Sequence, residues 1–272
     1  MRSVIAIMTD FGAGDWYVGT MKGIIAGINP DVLLVDVTHD ITPCSVLEAA
    51  FALKSCHRFF PQGTVFLVVV DPGVGTERRP LAVEAGGRFF VGPDNGVFGL
   101  VLQDEPPTAC VEIRQDPPPE SSTFHGRDIF APAAARLSLG RKLNELGTEA
   151  EEPVKLSLPE PKRIFQDEFQ GEVIYVDRFG NLVTNIPAQL ATPSGGRPRV
   201  KVLTFTQRGV SISRACLSYA ELGRGEPGIL MGSAGYLEVA LFGASAAKAL
   251  GVESGEPFTL TLGEAVEESA GP

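Results

Sequence analysis

The chain has 272 residues, 44% of them hydrophobic, and a mean hydropathy of +0.11. This excludes a disordered polymer and leaves room for one large domain or two smaller ones, each with a sizeable core. The formal net charge of −10 argues against a nucleic-acid partner, which would need clustered Lys and Arg, and against an anionic membrane surface.

Val4–Thr9 is a continuous apolar strand that meets Asp10-Phe11-Gly12. The run is too short and too quickly polar for a signal peptide. No apolar stretch approaches the roughly 20 residues of a spanning helix, so the expected location is the cytoplasm. Tyr17–Ile28 reads as a helix stopped by Asn29-Pro30, and Val32–Val37 as a second buried strand. Ser45-Val46-Leu47-Glu48 has the spacing of a capping box opening a helix to about Phe59. Val65–Val70 is a third strand, and Leu81–Glu84 with Arg88–Val91 predicts a hairpin across Gly86-Gly87. Strand–helix alternation with unbroken apolar strands implies an α/β domain with a largely parallel sheet covered on both faces.

An alanine-rich helix is expected from Phe130 to about Gly140. Glu151–Lys162, with Pro153, Pro159 and Pro161, reads as a linker. Beyond it Gly171–Val176, Val200–Phe205, Gly209–Ser213 and Phe258–Leu262 read as strands with little helix between them. The division is therefore an N-terminal α/β domain, 1–162, and a smaller β-barrel-like domain, 163–272, with Gly263–Pro272 expected to fray. Cys44, Cys56, Cys110 and Cys216 show no CxxC spacing and lie among apolar or small residues, which reads as buried free thiols.

The chemistry-bearing residues cluster at strand ends. Val68-Val69-Val70-Asp71-Pro72-Gly73 puts a carboxylate where open α/β sheets bind ligands, with Arg78 seven residues on. Asp71 and Arg78 are either a fixed anion for chemistry or a structural ion pair. Thr123-Phe124-His125-Gly126-Arg127-Asp128 supplies one of three histidines, either catalytic or structural. His39 and His57 are assigned to structure, and three scattered histidines give no metal-ligand spacing. Asp10 is either a ribose-diol acceptor or a cap, and Asp94-Asn95 before Gly96 either a turn or a ligand contact. In Asp177-Arg178-Phe179-Gly180-Asn181, Asn181 offers a purine edge and Phe179 a stacking face, or the segment is a β-turn with a polar tip. The loop Gly232–Glu238 could hold a carboxylate on backbone N–H groups.

Together, Thr9-Asp10-Phe11-Gly12, Val70-Asp71-Pro72-Gly73-Val74-Gly75, Phe124-His125-Gly126-Arg127-Asp128 and Phe179-Gly180-Asn181 resemble the adenosine-forming S-adenosyl-L-methionine (SAM) hydrolases. These are also called SAM hydroxide adenosyltransferases and are relatives of the fluorinases and chlorinases. The resemblance spans nearly the whole chain. It implies a homotrimer with active sites between the first domain of one subunit and the second domain of its neighbour, and it implies no cofactor and no metal. It matches Asp71, Arg78 and His125 to the set holding the attacking water; Arg78 is preferred to Arg79 by spacing. It matches Asp10 to the ribose, Phe179 and Asn181 to adenine, Tyr219 to a stacking aromatic, and Asp177 and Ser233 to the methionine end. Asn95 and Phe124 complete the implied substrate-binding set. Two positions depart from the halogenases: Cys44 stands in place of a tryptophan and Ala234 in place of an arginine.

The reaction so implied is in-line displacement at the ribose C5′ by water or hydroxide, with neutral methionine leaving. His125 has the reference pKa closest to neutrality and is the expected proton acceptor, with Asp71, paired to Arg78, the weaker base. A halogenase would not place a carboxylate where halide must sit. Asp10-Phe11-Gly12-Ala13-Gly14 is not the dinucleotide fingerprint. A non-catalytic adenosyl-ligand sensor is the alternative from another class: it would need Asp10, Phe179 and Asn181 but not Asp71, Arg78 and His125 together.

Overall fold

The computed structural model describes residues 2–115, 118–192 and 196–263, in two compact units divided between Ser157 and Leu158. The expectation of a frayed tail beyond Gly263 falls outside the described residues. Among these, no helix is long and apolar enough to cross a membrane.

In the first unit the order is β1 (Val4–Thr9), α1 (Tyr17–Ile28), β2 (Leu33–Thr38), α2 (Val46–Cys56), β3 (Val65–Val69), β4 (Pro80–Ala85), β5 (Arg88–Pro93), α3 (Gly99–Asp104), β6 (Pro107–Ile113), α4 (Ala131–Ser138) and β7 (Gly147–Glu149). The strands make one sheet in the order β2-β1-β3-β5-β4-β6-β7. The half from β2 to β5 is parallel, while β4, β6 and β7 join antiparallel. Ile5, Ile7, Val65, Leu67 and Val69 share a core with Met21 and Ile25 of α1. The alternate residues Ala6, Met8, Phe66 and Val68 pack on the opposite face with Ala49 and Leu53 of α2. Burial on both faces is why these strands carry no polar alternation.

The order also places the site. From β1 the chain crosses to β2 on one side and returns through α2 to β3 on the other. The register runs from Ile5↔Val65 to Thr9↔Val69, so both strands end level. Asp10 and Asp71 therefore leave the sheet beside each other at a topological switch point, the crevice where such sheets bind ligands.

Local chemistry departs from expectation in several places. The capping box does not form: Ser45 makes no side-chain cap, and the Glu48 carboxylate instead accepts the Thr42 N–H at 3.3 Å. α2 stops at Cys56, with one 3₁₀ turn over His57–Phe59. The hairpin is as read, Ala85 facing Arg88 across two glycines of positive φ. All four cysteines are free, but only Cys216 is buried. Cys44 is exposed because it sits in a tight loop turn with φ of 66°, outside any packed element.

The second unit comprises β8 (Lys162–Phe165), β9 (Glu168–Val176), β10 (Leu182–Pro187), α5 (Ala188–Ala191), β11 (Val200–Phe205), β12 (Val210–Ile212), β13 (Pro227–Met231), β14 (Tyr236–Leu241), α6 (Ala246–Leu250) and β15 (Pro257–Leu262). Its sheet runs β12-β11-β15-β9-β10-β14-β13, with β8 on β9. The ends nearly close, since Ile229 of β13 pairs with Arg214 and Cys216 just beyond β12. The result is barrel-like around Val173, Leu203, Phe205, Ile229, Leu237 and Phe258. β10 hides in the sequence because its polar residues are used inside: Thr184 Oγ1 donates to the Leu237 carbonyl and Asn185 Nδ2 to that of Pro159.

Candidate active site

β3 releases the chain at Val69, and the next residues turn back sharply. Val74 N–H donates to the Asp71 carbonyl and Thr76 N–H to that of Gly73. Gly75 has φ of +77°, and a Cβ there would lie 2.8 Å from the Ser122 carbonyl oxygen, so only glycine lets this turn press against the segment leading to His125. Arg78 is thereby brought onto Asp71. Its Nε lies 3.0 and 3.1 Å from the two carboxylate oxygens and its Nη2 lies 2.5 Å from Oδ2. The same Nη2 lies 2.7 Å from His125 Nδ1.

This contact fixes the imidazole. A guanidinium N–H can only donate, so Nδ1 accepts and the ring proton sits on Nε2. Burial first, and then the Arg78 charge, hold the His125 pKa below its ordinary value of 6.5. Neutral His125 is thus the state this geometry stabilises. Arg78 also lies over the Phe130 ring at 5.2 Å, and its Nη1 is buried without a hydrogen-bond partner among the described residues. His125 precedes one π-helical turn, Gly126–Phe130, a form frequent at functional sites. Asp128 secures that turn by pairing with Arg127 and accepting the Ser121 N–H.

Arg79 points elsewhere, pairing with Asp94 at 2.6 and 2.8 Å and with the Glu152 carbonyl at 3.1 Å. Asp94 also accepts the Val154 N–H, so the start of the proline-rich segment is held on the first unit. Asn95 supports the end of β3, donating to the Val70 carbonyl and accepting from Val97 N–H. It does not line the cleft. His39 and His57 are engaged with Thr9 Oγ1 and with the Leu53 and Lys54 carbonyls, away from it as well.

The cleft itself has a volume of about 210 Å³, and Asp10, Asp71, Phe124 and His125 line it with Phe11 and Val69. The Asp10 carboxylate accepts the Cys44 N–H at 2.8 Å, which leaves other lone pairs for a ligand. Phe124 is anchored edge-on to Tyr17 and Phe11.

A second, larger cavity of about 710 Å³ lies in the second unit and gathers Asp177, Phe179, Asn181, Tyr219 and Ser233. Asp177 is committed to its turn, accepting from the N–H groups of Phe179 and Asn181 and from Asn181 Nδ2. Phe179 is 78% exposed at the rim. The sixth notable lining residue, Glu238, escapes sequence reading. It is buried and accepts a 2.7 Å hydrogen bond from Tyr219 Oη. Burial, and less strongly Asp177, raise its pKa against the lowering effect of that hydrogen bond. Burial and the same hydrogen bond raise Tyr219. The available signal was one acid inside an otherwise apolar strand, Tyr236-Leu237-Glu238-Val239-Ala240-Leu241.

A mixed sheet with helices on both faces and paired charges at its switch point, with a barrel-like second unit, defines an α/β protein with a charged crevice at the strand ends. Comparison with known proteins specifies it further. The family model for the SAM hydroxide adenosyltransferase N-terminal domain matches residues 5–147, and that for the C-terminal domain matches 171–259. The chain belongs to the SAM hydroxide adenosyltransferase family. It is 40% identical to an (R)-S-adenosyl-L-methionine hydrolase of Thermus thermophilus, over 96% of this chain and 100% of that one. It is 37% identical to the protein of that name from Salinispora tropica, over 95% and 98%. A fluorinase of an Actinoplanes species is 28% identical over 95% and 97%. Among solved structures, an uncharacterized conserved protein of Thermotoga maritima aligns with a TM-score of 0.86 and 34% identity, covering 94% of this chain and 99% of that one.

Proposed function

We propose that this enzyme hydrolyses SAM to adenosine and L-methionine by in-line attack of water or hydroxide at the ribose C5′. The observation that carries the reading is the continuous Asp71–Arg78–His125 contact, with Asp71 and His125 lining the same cleft as Asp10. The named relatives support the reaction class, and the fluorinase stands further off in identity.

The new bond is O–C5′ and the broken one C5′–S, its electron pair going to sulfur. Methionine leaves as a neutral thioether, so no acid is required, and one proton is released overall. Cationic sulfonium and anionic nucleophile cancel in the transition state, which a dry pocket favours. Arg78 stabilises the hydroxide character of the attacking oxygen and Asp71 orients Arg78. His125 fits a role different from the expected proton acceptor. Its Nδ1 is engaged by Arg78, so in the neutral state it offers the water only an Nε2–H donor. Asp10 takes the ribose hydroxyls and Phe124 walls the cleft. Asp177, Phe179, Asn181, Tyr219 and Ser233 form the part that receives the remainder of the substrate. The working unit in this reading is a cytoplasmic homotrimer, each site using the first domain of one subunit and the second domain of its neighbour.

The test is to incubate the protein with SAM, without added halide, and to quantify adenosine and methionine together. Equimolar appearance, lost in His125→Ala, is the expected result. Recovery of intact bound SAM would overturn hydrolysis in favour of a sensor.

A further inference from the structure

The turn after His125 faces two ways. His125 and Gly126 line the cleft, whereas Arg127, Asp128 and Ile129 line a groove of about 470 Å³ bounded by α1, the exit of β6 and α4. Ile24, Ile28, Ile113, Ile129 and Pro132 make much of this lining apolar. On α1, Gly23 and Gly27 stand about one turn apart and keep the groove open, since a Cβ at either would meet nothing within 4 Å. Three guanidinium groups border it, Arg114, Arg127 and Arg136, against the carboxylates of Glu120 and Asp128. Arg127 is engaged by Asp128 at 2.5 and 2.9 Å, and Glu120 is 86% exposed at 3.7 Å from Arg127. Arg114 and Arg136 form no ion pair and no side-chain hydrogen bond among the described residues.

Unpaired arginines on a flat surface need no ligand. Here they edge an apolar groove in a chain whose net charge is −10, so positive charge is locally in excess. Guanidinium groups match phosphate oxygens in bidentate geometry, and an apolar lining with a few polar groups is the usual form of a small-molecule site. A bare inorganic anion would leave the isoleucines uncovered, and a neutral ring would leave the arginines unused. We propose that this groove binds an organic phosphate of the nucleotide class, with its phosphate on Arg114 and Arg136 and its ring on the apolar lining beside Gly23 and Gly27. The site is separate from the cleft and does not depend on the SAM reading.

Titration calorimetry with uridine 5′-monophosphate tests this, a probe without adenine, at about 0.15 M ionic strength, where attraction between exposed charges is largely screened. A Kd below about 1 mM is expected. Uridine and ribose 5-phosphate, each lacking half of the recognition, should bind at least about tenfold more weakly. Arg114→Ala and Arg136→Ala should each weaken the probe about tenfold. Arg58→Ala removes an exposed arginine outside the groove and should leave Kd within about twofold. Gly23→Leu fills the groove at a helical position where leucine is favoured over glycine by about 1 kcal/mol. It should abolish binding while the melting temperature holds or rises, which separates occlusion from unfolding. Equal losses in Arg58→Ala and Arg114→Ala would reduce the effect to general charge attraction and overturn the proposal. So would uridine binding as tightly as its phosphate, displacement of the probe by adenosine, or no binding at all.

Discussion

The two cavities handle charge in opposite ways. In the first unit Asp71 and Arg78 are 6% and 9% exposed and hold each other in a bidentate pair, and Arg78 reaches on to His125, while Asp10 accepts the Cys44 N–H. In the second unit two acids share a larger cavity whose lining, among the described residues, holds no Lys, Arg or His. A pair held in this way is preorganised, which suits groups that must hold one small nucleophile without rearranging. On the proposed reading the first cavity is the place for chemistry and the second the place for recognition, and variants of the two should fail in different kinetic constants.

The largest effect is expected from Arg78→Ala. It strands a buried carboxylate and removes the His125 contact, so stability should fall by about 3–5 kcal/mol and kcat by at least about a hundredfold. Thermal melting and steady-state kinetics measure both. Retention of wild-type kcat in a folded Arg78→Ala protein would erase the contrast between the cavities. Asp71→Asn keeps shape and hydrogen-bonding atoms while removing charge. A kcat loss of about a hundredfold with KM within about threefold is expected; a KM effect alone would move Asp71 into the recognition class.

Both cavities were partly legible in the sequence, with Asn95 misplaced in the first and Glu238 missed in the second. Asp71, Arg78 and His125 announced themselves because each stands at a strand end or in a glycine-rich turn, where local signals are strong. The parallel strands β1 to β3 and β5 followed from unbroken apolar runs. What escaped was set by distant packing. β10 carries Thr184 and Asn185, whose polar groups find partners only after folding. Glu238 looks like a surface acid until β14 is placed beside β10 and β13. Ser45 and Glu48 show the reverse failure, a correct local spacing overridden when Thr42 captured the carboxylate.

Acidity should sharpen the contrast next. Burial and Arg78 keep His125 below 6.5, opposed by Asp71 and Asp128. Because the folded value is depressed, both folded and unfolded chains are neutral at this ring above pH 6.5. As pH falls below it, the unfolded chain takes up the proton first, so stability declines. Protonation of the folded state then breaks the Arg78 donation. A kcat profile flat above neutrality and falling on the acid side with an apparent pKa below 6.5 is expected. In Arg78→Lys that limb should shift or lose its shape. An acid limb identical in the two proteins would assign it to another group.

Arg79→Ala is expected to change turnover least, and it is informative for that reason. Arg79 differs from Arg78 by one position, yet its guanidinium serves Asp94 and the Glu152 carbonyl instead. Asp94 is 8% exposed and loses its charged partner in this variant, retaining only the Val154 N–H. A stability loss of about 1–3 kcal/mol is therefore expected, together with earlier proteolysis around Glu151–Ser157 as that segment loosens. The Asp71–Arg78–His125 contact does not pass through Arg79, so kcat on SAM should stay within about twofold. Adjacent arginines would then separate cleanly, one acting on rate and one on the fold. A hundredfold kcat loss in Arg79→Ala, in protein that still melts cooperatively, would show that the seven-residue spacing from Asp71 to Arg78 does not identify the functional guanidinium.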